Sequence, residues 1–252
     1  MVPPWVPPLP NAPAVPINPT PPTAPLAPPG RFQSTRVNLG KYSSSGDRDY
    51  LSRGIGNYFK TGYGGGGTAS ARLGGTAQSA GTLFGALSGG GAGAPRTPER
   101  DALEAAVRSG AGIDEIIGVL IEAIRPIDGT QDSEGGQRAL ANTLSEVMSK
   151  HPNADLLNLT PGQLNLTMAL YIANDIFARF FHDVGKSILE HAPSVSTGVA
   201  RLKEVKEYIR EVVVAQFNKI VAAAMPTTRS RMVELVSSVL RNAIDVFEEY
   251  AS

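Results

Sequence analysis

Residues 160–191 read TPGQLNLTMALYIANDIFARFFHDVGKSILEH. Thr160-Pro161-Gly162-Gln163 has the spacing of a capping box with proline at the first helical position, so a long helix is predicted from there to about residue 191. At about 100° per residue, Asp175, Arg179, His182, Asp183, Lys186 and Glu190 share one polar stripe, opposite Phe177, Phe180, Phe181, Val184 and Ile188. On that geometry His182 and Asp183 face water. The same helical grammar repeats on both sides. Downstream, 196–224 carries Val199, Leu202, Val205, Ile209, Val212, Phe217 and Ile220 at helical spacing, and 229–250 carries Met232, Leu235, Val236, Val239, Ala243, Ile244 and Phe247. Upstream, Thr97-Pro98-Glu99 opens a segment closed by Gly110, 114–124 has a broad isoleucine-rich face, and 137–150 carries Leu140, Leu144, Val147 and Met148. Nothing between these segments alternates like a strand. The expected fold is all-α, a bundle of about six helices over residues 96–252.

The first 95 residues differ in composition. Of 20 prolines, 13 fall within residues 1–29, and of 27 glycines, 18 lie between Gly30 and Gly93. Proline occupies 4, 7, 10, 13, 16, 19, 22, 25 and 28 without a miss. That period matches polyproline II, which has three residues per turn and would form a rod on the order of 75 Å long with its prolines in one stripe. A rod stiffened by proline loses little entropy on docking, and Trp5, the only tryptophan, is suited to anchor it. Residues 31–95 then read as a basic, Gly-rich linker. Short helices are expected at 49–60, with Leu51, Ile55, Tyr58 and Phe59 on one side, and at 68–87, with Leu73, Ala77, Ala80, Phe84 and Leu87. Helical glycine costs roughly 1 kcal/mol per position relative to alanine, so both need a partner surface to persist. The expected organisation is an extended arm (1–30), a linker of conditional helices (31–95) and a helical bundle (96–252).

Net charge is zero, with 23 Lys+Arg and 23 Asp+Glu, but residues 1–94 carry 7 against 2 and the remainder 16 against 21. A basic arm on an acidic body favours self-docking or an acidic partner, and neither half has the excess of a dedicated nucleic-acid binder. A nucleic-acid adaptor would rely on Arg31, Arg36, Lys41, Arg48, Arg53, Lys60 and Arg72. The absence of cysteine removes disulfides, thiol nucleophiles and Cys-ligated zinc. MVPPWVPPLP is not a secretory signal, and the longest apolar run, 116–124, is short of a bilayer span, so a cytoplasmic location without membrane contact is expected.

Phe181-His182-Asp183-Val184-Gly185-Lys186 is similar to the His-Asp doublet of HD-type metal phosphohydrolases, with His151 and Asp245 available as further ligands. The water-facing stripe argues against it, because a metal site turns its ligands into a shared pocket. Gly185-Lys186-Ser187 fails as a P-loop, since Phe180 stands where the motif needs its first glycine and the segment is mid-helix. Gly64 to Gly67 has no following lysine and reads as a hinge. With His151, His182 and His191 as the only histidines and no nucleophile motif, no catalytic constellation is expected, and no metal or cofactor.

The order Met1-Val2-Pro3-Pro4-Trp5-Val6-Pro7, Ala27-Pro28-Pro29-Gly30-Arg31-Phe32, Leu73-Gly74-Gly75-Thr76-Ala77 and residues 81–87 resembles the QatB family, the B component of the Qat anti-phage defence system. The resemblance extends over nearly the whole chain. It implies a bacterial operon that also encodes a P-loop ATPase, a QueC-like enzyme of the deazaguanine type and a TatD-like nuclease, with no enzymatic motif assigned to the B component. Family members carry a Gly, Ser and Thr-rich leader, with glycine after the initiator Met, ahead of the segment that begins this chain. The resemblance therefore implies that Met1 is internal to a longer product, and no modified residue is assigned. The expected role is a non-catalytic scaffold or substrate subunit. Its arm meets the QueC-like enzyme, its bundle docks a partner such as the ATPase, and the residues expected to meet partners are Pro4, Trp5, Pro7, Pro10, Pro13, Arg31, Phe32, Arg36, Tyr58, Phe59 and Phe84.

Overall fold

The computed structural model describes residues 30–88, 96–126, 131–222 and 228–251. The chain divides into the units Met1–Gly30 and Arg31–Ser252. The polyproline arm, with Pro4, Trp5, Pro7, Pro10 and Pro13, lies outside the described residues. Among those described every regular element is helical: α1 (Gln33–Ser45), α2 (Arg48–Asn57) continuing into a π-helical turn (Tyr58–Gly62), α3 (Gly66–Arg72), α4 (Gly74–Leu87), α5 (Pro98–Arg108), α6 (Ile113–Ile124), α7 (Gln131–Lys150), α8 (Pro161–Phe180), a second π-helical turn (Phe181–Gly185), α9 (Lys186–His191), α10 (Val195–Val221) and α11 (Arg229–Glu248).

Local chemistry starts these helices where their caps stand. Thr160 Oγ1 accepts from the Gln163 N–H at 3.3 Å while Gln163 Oε1 accepts from the Thr160 N–H at 2.9 Å, closing the capping box of α8. Thr97, Ser194 and Thr228 cap α5, α10 and α11 in the same way with their side-chain oxygens. From residue 96 onward the six expected helices are present, α8 and α9 forming one rod interrupted by the second π turn.

Helix α8 is the axis of the fold. Every residue from Thr167 to Ile176 is buried, as expected only of a helix surrounded on all sides, and α7, α10 and α4 pack around it. Two expectations from the polar stripe change here. Asp175 is fully buried, and Phe177 and Phe181 are partly or largely exposed. The π turn is the physical reason: its wider winding inserts a residue and rotates everything after Phe181 relative to α8, so the two halves of the stripe no longer share a side.

The boundary expected at residue 95 does not appear in the packing. Leu39, Tyr42, Ile55, Tyr58, Phe59, Leu83 and Leu87 are completely or almost completely buried and belong to the same hydrophobic cluster as Phe180, Phe217 and Phe247. The partner surface that the Gly-rich helices require is the chain's own α11. Helices α3 and α4 pack along it, and Gly81 lets α4 approach so closely that a Cβ there would lie 2.5 Å from a Val233 methyl and 3.2 Å from the Arg229 carbonyl oxygen. Phe59 stacks on Phe247 with ring centroids 5.3 Å apart. Residues 31–88 are therefore walls of the bundle and not a linker.

Candidate interaction surface

The second π turn is where the N-terminal helices and the body are stitched together. Asp183 Oδ2 accepts hydrogen bonds from Tyr58 at 2.8 Å and Tyr63 at 3.2 Å. Its carbonyl oxygen lies 3.4 Å from the Arg36 guanidinium. One turn on, Ser187 donates to the Arg36 carbonyl at 3.2 Å and Ser43 donates to the Ile188 carbonyl at 2.5 Å. Burial pushes the Tyr58 phenol well above its ordinary pKa, with Tyr63 and the Asp183 carboxylate adding to it; Tyr63 rises for the same first reason. Both phenols thus stay protonated and keep donating.

A second polar knot lies deeper. The Asp175 carboxylate meets Arg125 at 3.1 Å, Arg179 at 3.2 Å and the Thr76 hydroxyl at 2.5 Å. These partners come from α6, α8 and α4. The arrangement is a charge-neutralising core cluster, and burial followed by the neighbouring Asp175 charge raises the pKa of Tyr171 beside it.

His182 stands on the surface and, with Lys186, separates two grooves. One of about 600 Å³ runs between α7, α8, α9 and α10, with Asn142, Asn174, Phe177, Phe181, Leu189 and Leu202 among its lining. The other, about 590 Å³, lies between α1 and α9 and includes Arg36, Val37, Asp183 and His191. Neither gathers ligands for a metal: among the described residues no group of three or more His, Asp and Glu is placed to hold one. Asp183 is occupied by two phenols, and Asp245 lies beside Gly66 of α3. The four residues considered for an HD-type site are not brought together.

The residues expected to meet partners divide sharply. Phe32, Tyr58, Phe59 and Phe84 are between 1% and 5% exposed, so they are committed to the chain's own core and are not surface anchors. Arg36 is exposed, and Arg31 lies over the Phe32 ring at 4.5 Å. Lys41, Arg48, Arg53, Lys60 and Arg72 are exposed, two of them resting over aromatic rings, Lys41 on Tyr50 and Arg72 on Tyr63. Sequence reasoning missed Leu189, Val195, Val199 and Leu202 as surface: their spacing is that of a core stripe, and only the packing shows that the body ends before the stripe does. No described helix is long and apolar enough to cross a membrane.

Searches of curated proteins and of solved structures return no match. A protein-family profile described as "Qat anti-phage system associated protein QatB" matches residues 64–247, from the glycine run before α3 to the end of α11. That span covers most of the helical unit and well over half of the sequence, and the chain belongs to the QatB family of the Qat anti-phage defence system.

Proposed function

We propose that the chain is a non-catalytic scaffold and substrate subunit of a Qat defence complex, offering its proline-rich arm to a QueC-like partner enzyme and docking a second operon product, such as the P-loop ATPase, through its helical unit. Family membership implies partners within the Qat operon. The observation that carries the finer reading is the unbroken threefold proline period from Pro4 to Pro28, ahead of Trp5's neighbours and upstream of a self-contained helical core. A pre-stiffened segment binds with a small ordering cost and offers regularly spaced contacts. The helical unit supports the scaffold role because its buried acids and bases, such as Asp175 with Arg125 and Arg179, are spent on one another.

Limited proteolysis of the protein alone and after co-expression with the QueC-like and ATPase partners tests the reading. Residues 1–29 become protected in the complex, while the helical unit resists in both samples. Equal cleavage of the arm in both would overturn it. Intact mass of the co-expressed product reports any group attached to the N-terminal region.

A further inference from the structure

The apolar stripe of α10 outruns the body that covers it. Ile209, Val213 and Phe217 are fully buried, yet on the same side of the helix Val199 is 58% and Val195 83% exposed. Helix α9 extends this uncovered end sideways, because Gly198 sits against Leu189 and Ala192, 3.2 Å from a Cβ position to each. Leu189 and Phe181, both about two-fifths exposed, then connect the stripe to the groove over α8. Single exposed apolar residues are ordinary, whereas a run along one groove marks a docking face.

We propose that this face pairs with the same face of a second copy of the chain, antiparallel across a two-fold axis. The charges beside the stripe select that occupant. Lys186 and Glu190 lie four apart on α9, both exposed, and Lys203 and Glu207 repeat the order, lysine first, on α10. A helix carrying lysine and then glutamate, laid antiparallel against itself, sets each lysine opposite its copy's glutamate, so the rim is its own complement. The chain's net charge of zero adds no long-range repulsion between copies. This pairing stands independently of whether the arm meets an enzyme.

Sedimentation velocity of the full chain across a concentration series tests it. The wild type moves from the 26.5 kDa chain mass toward twice that mass. Val199→Asp stays monomeric with an unchanged circular dichroism melt, since the side chain is exposed. Lys186→Glu and Glu190→Lys each weaken pairing by about tenfold or more by setting like charges opposite one another, and the double exchange Lys186→Glu/Glu190→Lys restores it. A wild type that remains monomeric at its solubility limit overturns the proposal. So does a dimer indifferent to Val199→Asp, or a double exchange that fails to recover what either single reversal loses.

Discussion

His182 and Asp183 are adjacent in the chain and have different physical roles. The His182 ring is exposed, whereas the Asp183 carboxylate holds two buried phenols. His182→Ala is therefore expected to change stability by no more than about 0.5 kcal/mol. Asp183→Ala leaves the Tyr58 and Tyr63 hydroxyls without their acceptor and should cost about 1–3 kcal/mol. Urea denaturation of the two variants checks the difference; equal losses would show that the phenols find another acceptor. Asp175 carries a larger burden, because Arg125 and Arg179 are only 15% and 10% exposed and lose their counter-charge with it. Asp175→Ala should cost about 3–5 kcal/mol by the same measurement. The capping of α8 was legible from Thr160 and Gln163 alone. The burial of Asp175 was not, since Thr76 and Arg125 lie far away in sequence and no local pattern announces that they converge.

Among the helices, glycine has opposite effects according to what it touches. Gly56 of α2 passes so near the C-terminal end of α11 that an added Cβ would lie 2.6 Å from the Phe247 carbonyl oxygen and 2.8 Å from the Ala251 nitrogen. Backbone cannot turn aside as a side chain can, so Gly56→Ala should cost about 1–3 kcal/mol. Gly118, inside α6, has nothing within 4 Å of that position, and Gly118→Ala should stabilise by roughly 1 kcal/mol. Thermal melts of both variants test the contrast, and a stabilised Gly56→Ala would mean that α2 and α11 are not in close contact. The same distinction explains what the sequence showed of the elements. Helices α6, α10 and α11 declare themselves by apolar residues at helical spacing. Helix α1 does not, because its buried side is built from Thr35, Gly40 and Ser43 as well as Leu39 and Tyr42. Its contacts are a hydroxyl on the Ile188 carbonyl and the His191 ring against Gly40, which carry no hydrophobic signature. Helix α4 was legible as a helix needing a partner, but nothing in its glycines says that the partner is α11.

For the molecule as a whole, the inclusion of residues 31–88 in the core sets the minimum folding unit. A fragment spanning 96–252 would expose the surfaces of α8, α9 and α11 that α1 to α4 cover. It should lose the cooperative melt that a 31–252 fragment retains; a sharp transition in the shorter piece would restore the linker reading. The buried phenols set the alkaline limit. Tyr42, Tyr58, Tyr63, Tyr171 and Tyr208 all have pKa values raised above the ordinary 10.0, first of all by burial. The folded state thus holds these protons more tightly than the unfolded chain. Their contribution is fully present below pH 10.0 and falls as pH rises through the folded-state values, where the unfolded chain has already ionised. Urea midpoints flat through neutral pH and declining above about pH 10, together with tyrosinate absorbance appearing only as the fold is lost, are the expected result. Early tyrosinate absorbance in a folded sample would contradict it.

The close seating of α2, α3 and α4 on α11 has a consequence during biosynthesis. The glycine-rich helices leave the ribosome early, and their seat is the last helix described. At about 5–20 residues per second, roughly 10–30 s separate the two events. Throughout that interval the nascent chain carries apolar ridges with nowhere to rest, so native assembly is necessarily post-translational and a chaperone that shelters the emerging N-terminal half would raise its yield.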